Sequence, residues 1–132
     1  MDLVTWNINS VRAREDRLVP WLDHFQPDVL CLQETKVVDE AFPRARCEAL
    51  GYHVSHYGQK AYNGVAILSR SEPEDVVCGF DDGQLTSNTA LTLSGLTPGA
   101  PIYVQVAALN AGGESLPTRI GGALVGDPTI QR

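Results

Sequence analysis

The chain has 132 residues, 43% hydrophobic and 20% charged, with a net charge of −6. That length fits one ordinary domain of ~100–150 residues, or two incomplete ones, and it excludes a pair of large enzymes. The composition excludes a disordered or collagenous chain. No apolar run approaches the ~20 residues of a membrane span, so no membrane partner is expected. The first residues, Met1-Asp2-Leu3-Val4-Thr5-Trp6, lack the basic segment and apolar core of a secretory leader, which makes the cytoplasm the expected location. Cys31, Cys47 and Cys78 are odd in number and without CxxC spacing, against both a disulfide framework and a zinc site.

Several quantities change together near Gly83. Residues 1–83 hold 8 Lys/Arg and 14 Asp/Glu, while residues 84–132 hold two of each. Every His and Cys, and every aromatic except Tyr103, precedes Gly83. The expected organisation is therefore two segments of different character, residues 1–83 and residues 84–132.

The front segment reads as alternating strands and helices. Leu3-Val4-Thr5-Trp6-Asn7-Ile8 is a β-prone run, and Ser10 offers an oxygen to cap a following helix. Val11, Leu18, Trp21, Leu22 and Phe25 recur at helical spacing over residues 11–25, predicting one buried face. Glu15 interrupts that stripe, and Pro20 removes a helix N–H, predicting a bend or an early stop. Val29-Leu30-Cys31-Leu32-Gln33 is continuously apolar, as in a strand covered on both faces, and the strand–helix–strand unit predicts a parallel pair. A short helix over residues 43–50 closed by Gly51, then strands over 52–57 and 65–69 around a Gly58-Gln59-Lys60 turn, complete the segment.

Parallel strands present their carboxyl ends at one rim, where open α/β sheets bind ligands. Asn7 and Glu34 fall at those two ends. An acid beside an amide suits a hard divalent cation such as Mg2+. On residue type alone the same pair also reads as a turn cap and a solvated strand-end acid.

Three stretches carry a resemblance: Leu3-Val4-Thr5-Trp6-Asn7-Ile8-Asn9-Ser10-Val11-Arg12, Gln26-Pro27-Asp28-Val29-Leu30-Cys31-Leu32-Gln33-Glu34-Thr35-Lys36, and Tyr62-Asn63-Gly64-Val65-Ala66-Ile67-Leu68-Ser69. In this order they closely resemble the amino-terminal part of exonuclease III and related abasic-site endonucleases, in the endonuclease/exonuclease/phosphatase family. The resemblance implies an α/β fold, a partial sandwich of that family with a mixed sheet, extended here by a carboxyl-terminal β-hairpin. It further implies Mg2+-dependent cleavage of DNA phosphodiesters at abasic sites or 3′ ends, as in DNA repair. Asn7 and Glu34 are then the catalytic residues, with Glu34 the metal ligand. Lys36, Lys60, Tyr62 and Asn63 become the expected contacts to DNA. The family's later half supplies a Tyr-containing strand motif, a Gly-Asp-aromatic-Asn motif and a closing Ser-Asp-His. None follows Gly83, and Gly126-Asp127 continues into Pro128-Thr129. The expectation is a truncated site, inactive by itself, because losing members of a catalytic unit costs orders of magnitude in rate. The alternative is a non-catalytic chimera or binding module.

Other candidates for chemistry are weaker. His24 reads as a solvated helix-end residue. His53 and His56 lie three apart on a strand, on opposite faces, and cannot easily share a metal. Arg12, Arg14 and Arg17 could meet phosphates, but Glu15 and Asp16 interleave them. Cys31 reads as a core residue.

In the tail, residues 89–93 and 102–108 alternate as two strands around Leu96-Thr97-Pro98-Gly99. Residues 86–120 resemble the last strands of a fibronectin type III domain, with Ile102 where that family usually has a corner Tyr. A lone hairpin is marginal in water. It is therefore expected to pair antiparallel to the strand at 65–69 and complete the first sheet. A sheet surface left uncovered would suit a second copy of the chain, a homo-oligomer.

Overall fold

The parallel pairing of two strands organises the first sheet. β1 (Leu3–Asn7) and β2 (Val29–Gln33) run side by side, Leu3 beside Val29 and Asn7 beside Gln33. The computed structural model describes residues 2–58, 63–78, 90–94, 103–107 and 115–120.

The crossover between them is α1 (Val11–Phe25). Ser10 caps it as expected, its Oγ accepting the Ala13 N–H at 3.2 Å. Gln26 ends it in the left-handed conformation, its N–H donating to the Leu22 carbonyl at 3.0 Å. Pro20 does not stop the helix. The proline faces outward, and the bond it forfeits is to the carbonyl of exposed Asp16, which water can serve, while Leu18 and Leu22 are fully buried on either side. Glu15 leaves the apolar stripe by reaching Arg46 at 2.7 Å. Phe25, expected in the buried face, is 57% exposed and packs against Trp21 at a tilt of 36°, and Trp21 in turn leans on Trp6.

Beyond β2 the sheet continues antiparallel through β4 (Val65–Ser69) to β3 (His53–Tyr57). On the far side β8 (Thr118–Ile120) adds antiparallel to β1. The order is β3-β4-β2-β1-β8, a mixed sheet. α2 (Arg44–Glu48) is shorter than the run expected over 43–50, and Gly51 beyond it takes φ 91°, a conformation only glycine adopts cheaply. Of the turn expected at residues 58–60, Gly58 is described; Gln59 and Lys60 lie outside the described residues.

Both expected tail strands form, as β6 (Ala90–Ser94) and β7 (Tyr103–Ala107), but they do not join β4. Each edge of β4 is already hydrogen-bonded, one to β2 and one to β3, so no free row of N–H and C=O groups remains. The hairpin instead pairs with β5 (Asp75–Cys78), giving a second sheet of order β5-β6-β7. The turn expected at 96–99 lies outside the described residues. This second sheet lies against β2, β3 and β4.

Two layers of burial follow from strand alternation. Trp6, Leu30, Leu32 and Leu68 point toward α1, where Val11, Leu18 and Leu22 meet them with Phe42 and Tyr52. The alternate residues Cys31, Val65 and Ile67 are equally buried, as expected for a sheet covered on both faces. Cys31 is thus a core thiol, its pKa pushed up to about 12 by burial. Among the described residues no helix is long and apolar enough to cross a membrane. Truncating Leu68, fully buried at the sheet centre, to alanine should cost ~2–5 kcal/mol, read as a lower urea midpoint at unchanged slope.

Candidate nucleic-acid and metal rim

The register of the parallel pair builds the site. Because Asn7 lies beside Gln33, the next residue along β2 arrives next to the Asn7 side chain. That residue is Glu34, and Asn7 Nδ2 donates to Glu34 Oε2 at 2.7 Å. Glu34 is 4% exposed, so the acid stands at the sheet tips largely out of water.

The chain around Glu34 is unusual. Asn9, Ser10, Glu34, Lys36 and Asn63 all have positive φ, between 45° and 84°. Left-handed non-glycine residues cost ~1–2 kcal/mol each and persist where surrounding structure over-determines them. Here it does. Ser10 and Val11 donate their N–H groups to the Glu34 and Thr35 carbonyls at 2.8 and 3.0 Å. Thr35 and Lys36 donate theirs to the Gly64 and Asn63 carbonyls at 3.1 and 2.9 Å. The turn after β2 is thereby held from both sides, by the β1–α1 loop and by the entry to β4. Gly64 itself has φ 90°, and a Cβ there would collide with Thr35 Oγ1.

Polar side chains complete the rim. Lys36 Nζ donates to Asn9 Oδ1 at 2.6 Å and lies 3.7 Å from Glu34 Oε1. Arg14 donates to the Asn9 carbonyl at 2.6 Å. Asn7 Oδ1 accepts the Asn9 N–H at 3.2 Å. From the tail, Ser115 brackets the Asn7 backbone: its Oγ accepts the Asn7 N–H at 2.9 Å, and its own N–H donates to the Asn7 carbonyl at 2.8 Å.

Of the sequence-derived candidates, the structure brings together Asn7, Glu34 and Lys36, and sets Asn63 against Lys36 through the backbone. Lys60 and Tyr62 lie outside the described residues. Arg12 and Arg17 are exposed on α1, and His24 is an exposed helix-end residue, as expected. His53 and His56 diverge as expected, His53 exposed and His56 buried. Sequence reading missed Asn9, whose place two residues past Asn7, just beyond the end of β1, was a usable sign. It also missed Ser115, which no local pattern announces, and the buried Thr35–His56 contact of 2.7 Å.

Among the described residues the hard-oxygen donors at the rim are the Glu34 carboxylate and the Asn7 and Asn9 amides. Among the described residues no group of three or more His, Cys, Asp or Glu could hold a metal. That set does not suit zinc, which takes three or four N, S or O ligands from protein. It fits Mg2+, which binds through one or two carboxylates and otherwise keeps water or substrate phosphate. Glu34 would hold the ion and Asn7 would orient Glu34.

A mixed-sheet α/β sandwich with an acid–amide pair at the tips of its parallel strands is thus the class of protein observed. Residues 4–122 match the model of the Endonuclease/Exonuclease/phosphatase family, and the chain belongs to that family. The match runs across the composition step at Gly83. Exodeoxyribonuclease III of Haemophilus influenzae is 50% identical over 80 residues, covering 61% of this chain and 30% of that protein. An AP endonuclease from Archaeoglobus fulgidus superposes with a TM-score of 0.70 at 40% identity, over 78% of this chain and 39% of that one. A 3′ phosphatase from Neisseria, bound to product DNA hairpin, gives 0.66 at 37% identity, over 78% and 40%. The chain spans about a third of the length of the curated relative and about two fifths of the solved chains.

Two outcomes follow from the rim's construction. Gly64→Ala should lower stability by ~1–3 kcal/mol, because alanine must adopt positive φ and displace Thr35; thermal unfolding measures it. Burial holds His56 below the ordinary histidine value of 6.5, with nearby Asp39 only partly offsetting it. The unfolded chain therefore binds more protons than the folded one once pH falls below that value. This stabilisation is complete above 6.5 and is lost as pH drops through the lowered folded-state value. Melting temperature should fall on going from about pH 7 to about pH 5, and His56→Gln should flatten the dependence.

Proposed function

We propose that this chain carries the metal-holding rim of a Mg2+-dependent DNA phosphodiesterase of the exonuclease III and abasic-site endonuclease type. The observation that supports it best is the 2.7 Å contact between Asn7 and buried Glu34 at the tips of two parallel strands. In this reading Glu34 would hold Mg2+, and the ion would supply neutralisation of charge on a phosphate undergoing displacement. Asn7 fixes the carboxylate, and Lys36, 3.7 Å from it, supplies a cation for a neighbouring phosphate oxygen. Asn63, with Lys60 and Tyr62 just before it in sequence, would approach DNA. The net charge of −6 opposes diffuse attraction to DNA, so binding rests on this local patch and on the metal.

Cleavage by this chain alone is weak in this reading. Among the described residues the rim presents a single acid and no histidine placed to clamp a phosphate, His24 and His53 being exposed elsewhere and His56 buried behind the turn. With those partners absent the rate falls by several orders of magnitude, leaving binding as the main property.

The test is cleavage of a duplex carrying one abasic site, with Mg2+, run beside Glu34→Ala, together with Mg2+ titration of both proteins. The wild-type chain should bind Mg2+ and cut at least ~10³-fold more slowly than full-length exodeoxyribonuclease III, and Glu34→Ala should lose Mg2+ binding. Activity unaffected by Glu34→Ala would reject the assignment. Full-rate cleavage abolished by it would uphold the rim and reject the weak-activity reading.

A further inference from the structure

His56 is a buried polar side chain that the rim does not use. Its side chain is 0% exposed, packed behind the Glu34 turn rather than at it. The ring lies 4.6 Å from the Phe42 ring at a tilt of 33°. Nε2 sits 2.7 Å from Thr35 Oγ1. Nδ1 sits 2.8 Å from Asp39 Oδ1, the same oxygen that accepts the Gly58 N–H at 2.8 Å. The Nδ1 contact has the distance of a hydrogen bond but not its alignment. Asp39 is half exposed and can rotate into line. A Cβ on Gly58 would strike the His56 ring and the Val37 carbonyl, so glycine alone lets the chain close over the imidazole.

A neutral imidazole offers one donor and one acceptor. A carboxylate can only accept, which puts the proton on Nδ1, facing Asp39. Nε2 is then the acceptor, and the Thr35 hydroxyl donates to it. Thr35 is 0% exposed and stands between Glu34 and Lys36, both left-handed. Four backbone bonds hold the carbonyls and N–H groups of this turn, but they leave the Thr35 side chain free to rotate. The His56 contact fixes it. A group hydrogen-bonded to a metal ligand, as Asn7 is to Glu34, is worth about 10- to 100-fold in metal affinity, and His56, acting through the turn, belongs at the low end of that range.

We infer that His56 is a positioning residue: its Nε2 accepts the Thr35 hydroxyl and so locks the turn that aims Glu34 and Lys36 at the rim. The consequence for metal rests on the proposed role of Glu34, whereas the hydrogen bond and its effect on the turn do not.

Nitrogen-15 NMR of the full chain, with Mg2+ titrations followed at the Asn7 and Glu34 amides, tests both levels. In the wild-type chain the His56 ring should carry its proton on Nδ1 with Nε2 bare. Finding Nε2 protonated overturns the inference. His56→Gln should shift the Glu34 and Lys36 amides in the Thr35 chain but not in a Thr35→Val chain; shifts equal in both overturn it. Thr35→Val and His56→Gln should each weaken Mg2+ binding about tenfold, with no further loss when combined, and Thr35→Ser should retain wild-type affinity. Additive losses, or affinity unchanged in both single variants, overturn it. If the wild-type chain binds no Mg2+, the metal reading of Glu34 fails, and the tautomer and amide shifts still decide the role of His56.

Discussion

The rim depends on the hydrogen-bonded turn that follows β2. Strand register carries Glu34 to the side of Asn7, but register alone would leave the acid on a free strand end. Instead, the β1–α1 loop and the entry to β4 grip the Glu34–Lys36 backbone from opposite sides. The four bonds compensate two left-handed residues that an isolated peptide would avoid. A strained backbone gathered at one place, and bonded on both flanks, fixes where its side chains start. An acid proposed to bind a metal would need such an arrangement, since small displacements of a ligand weaken its hold.

The rest of the fold supports that turn. α1 buries Leu18 and Leu22 in one core with Trp6, Leu30 and Leu32 of β1 and β2. Gly64 gives Thr35 room, and Ser115, from a distant part of the chain, closes the open backbone groups of Asn7. The second sheet covers the face of β2, β3 and β4 that α1 does not, so strands that read as apolar throughout find partners on both sides. Cys31 is part of that packing, not of the chemistry, since burial keeps its thiol protonated.

Much of this was legible in local sequence, for particular reasons. The Ser10 cap, the helix period of Val11, Leu18 and Leu22, and the apolar run of β2 each express a preference that a few neighbouring residues set. The same locality misled in part at Pro20: the helix does not stop there, because one lost bond weighs less than the leucine buried on each side. It misled again in the tail. The alternation of β6 and β7 showed that two strands form, but alternation is silent about which edge they join. The hairpin went to β5 because both edges of β4 were taken.

What the sequence determined by itself was the order of elements from β1 to β4, the parallel pair and the meeting of Asn7 with Glu34, because a strand–helix–strand unit has one favoured hand and one register that buries its apolar residues. Tertiary structure decided what surrounds that pair. The bracket from Ser115, the grip of Asn63 and Gly64, and the imidazole beneath Thr35 join residues far apart in the chain. Such contacts form only when separate segments, each with its own local preference, compete for the same edges and the same buried space.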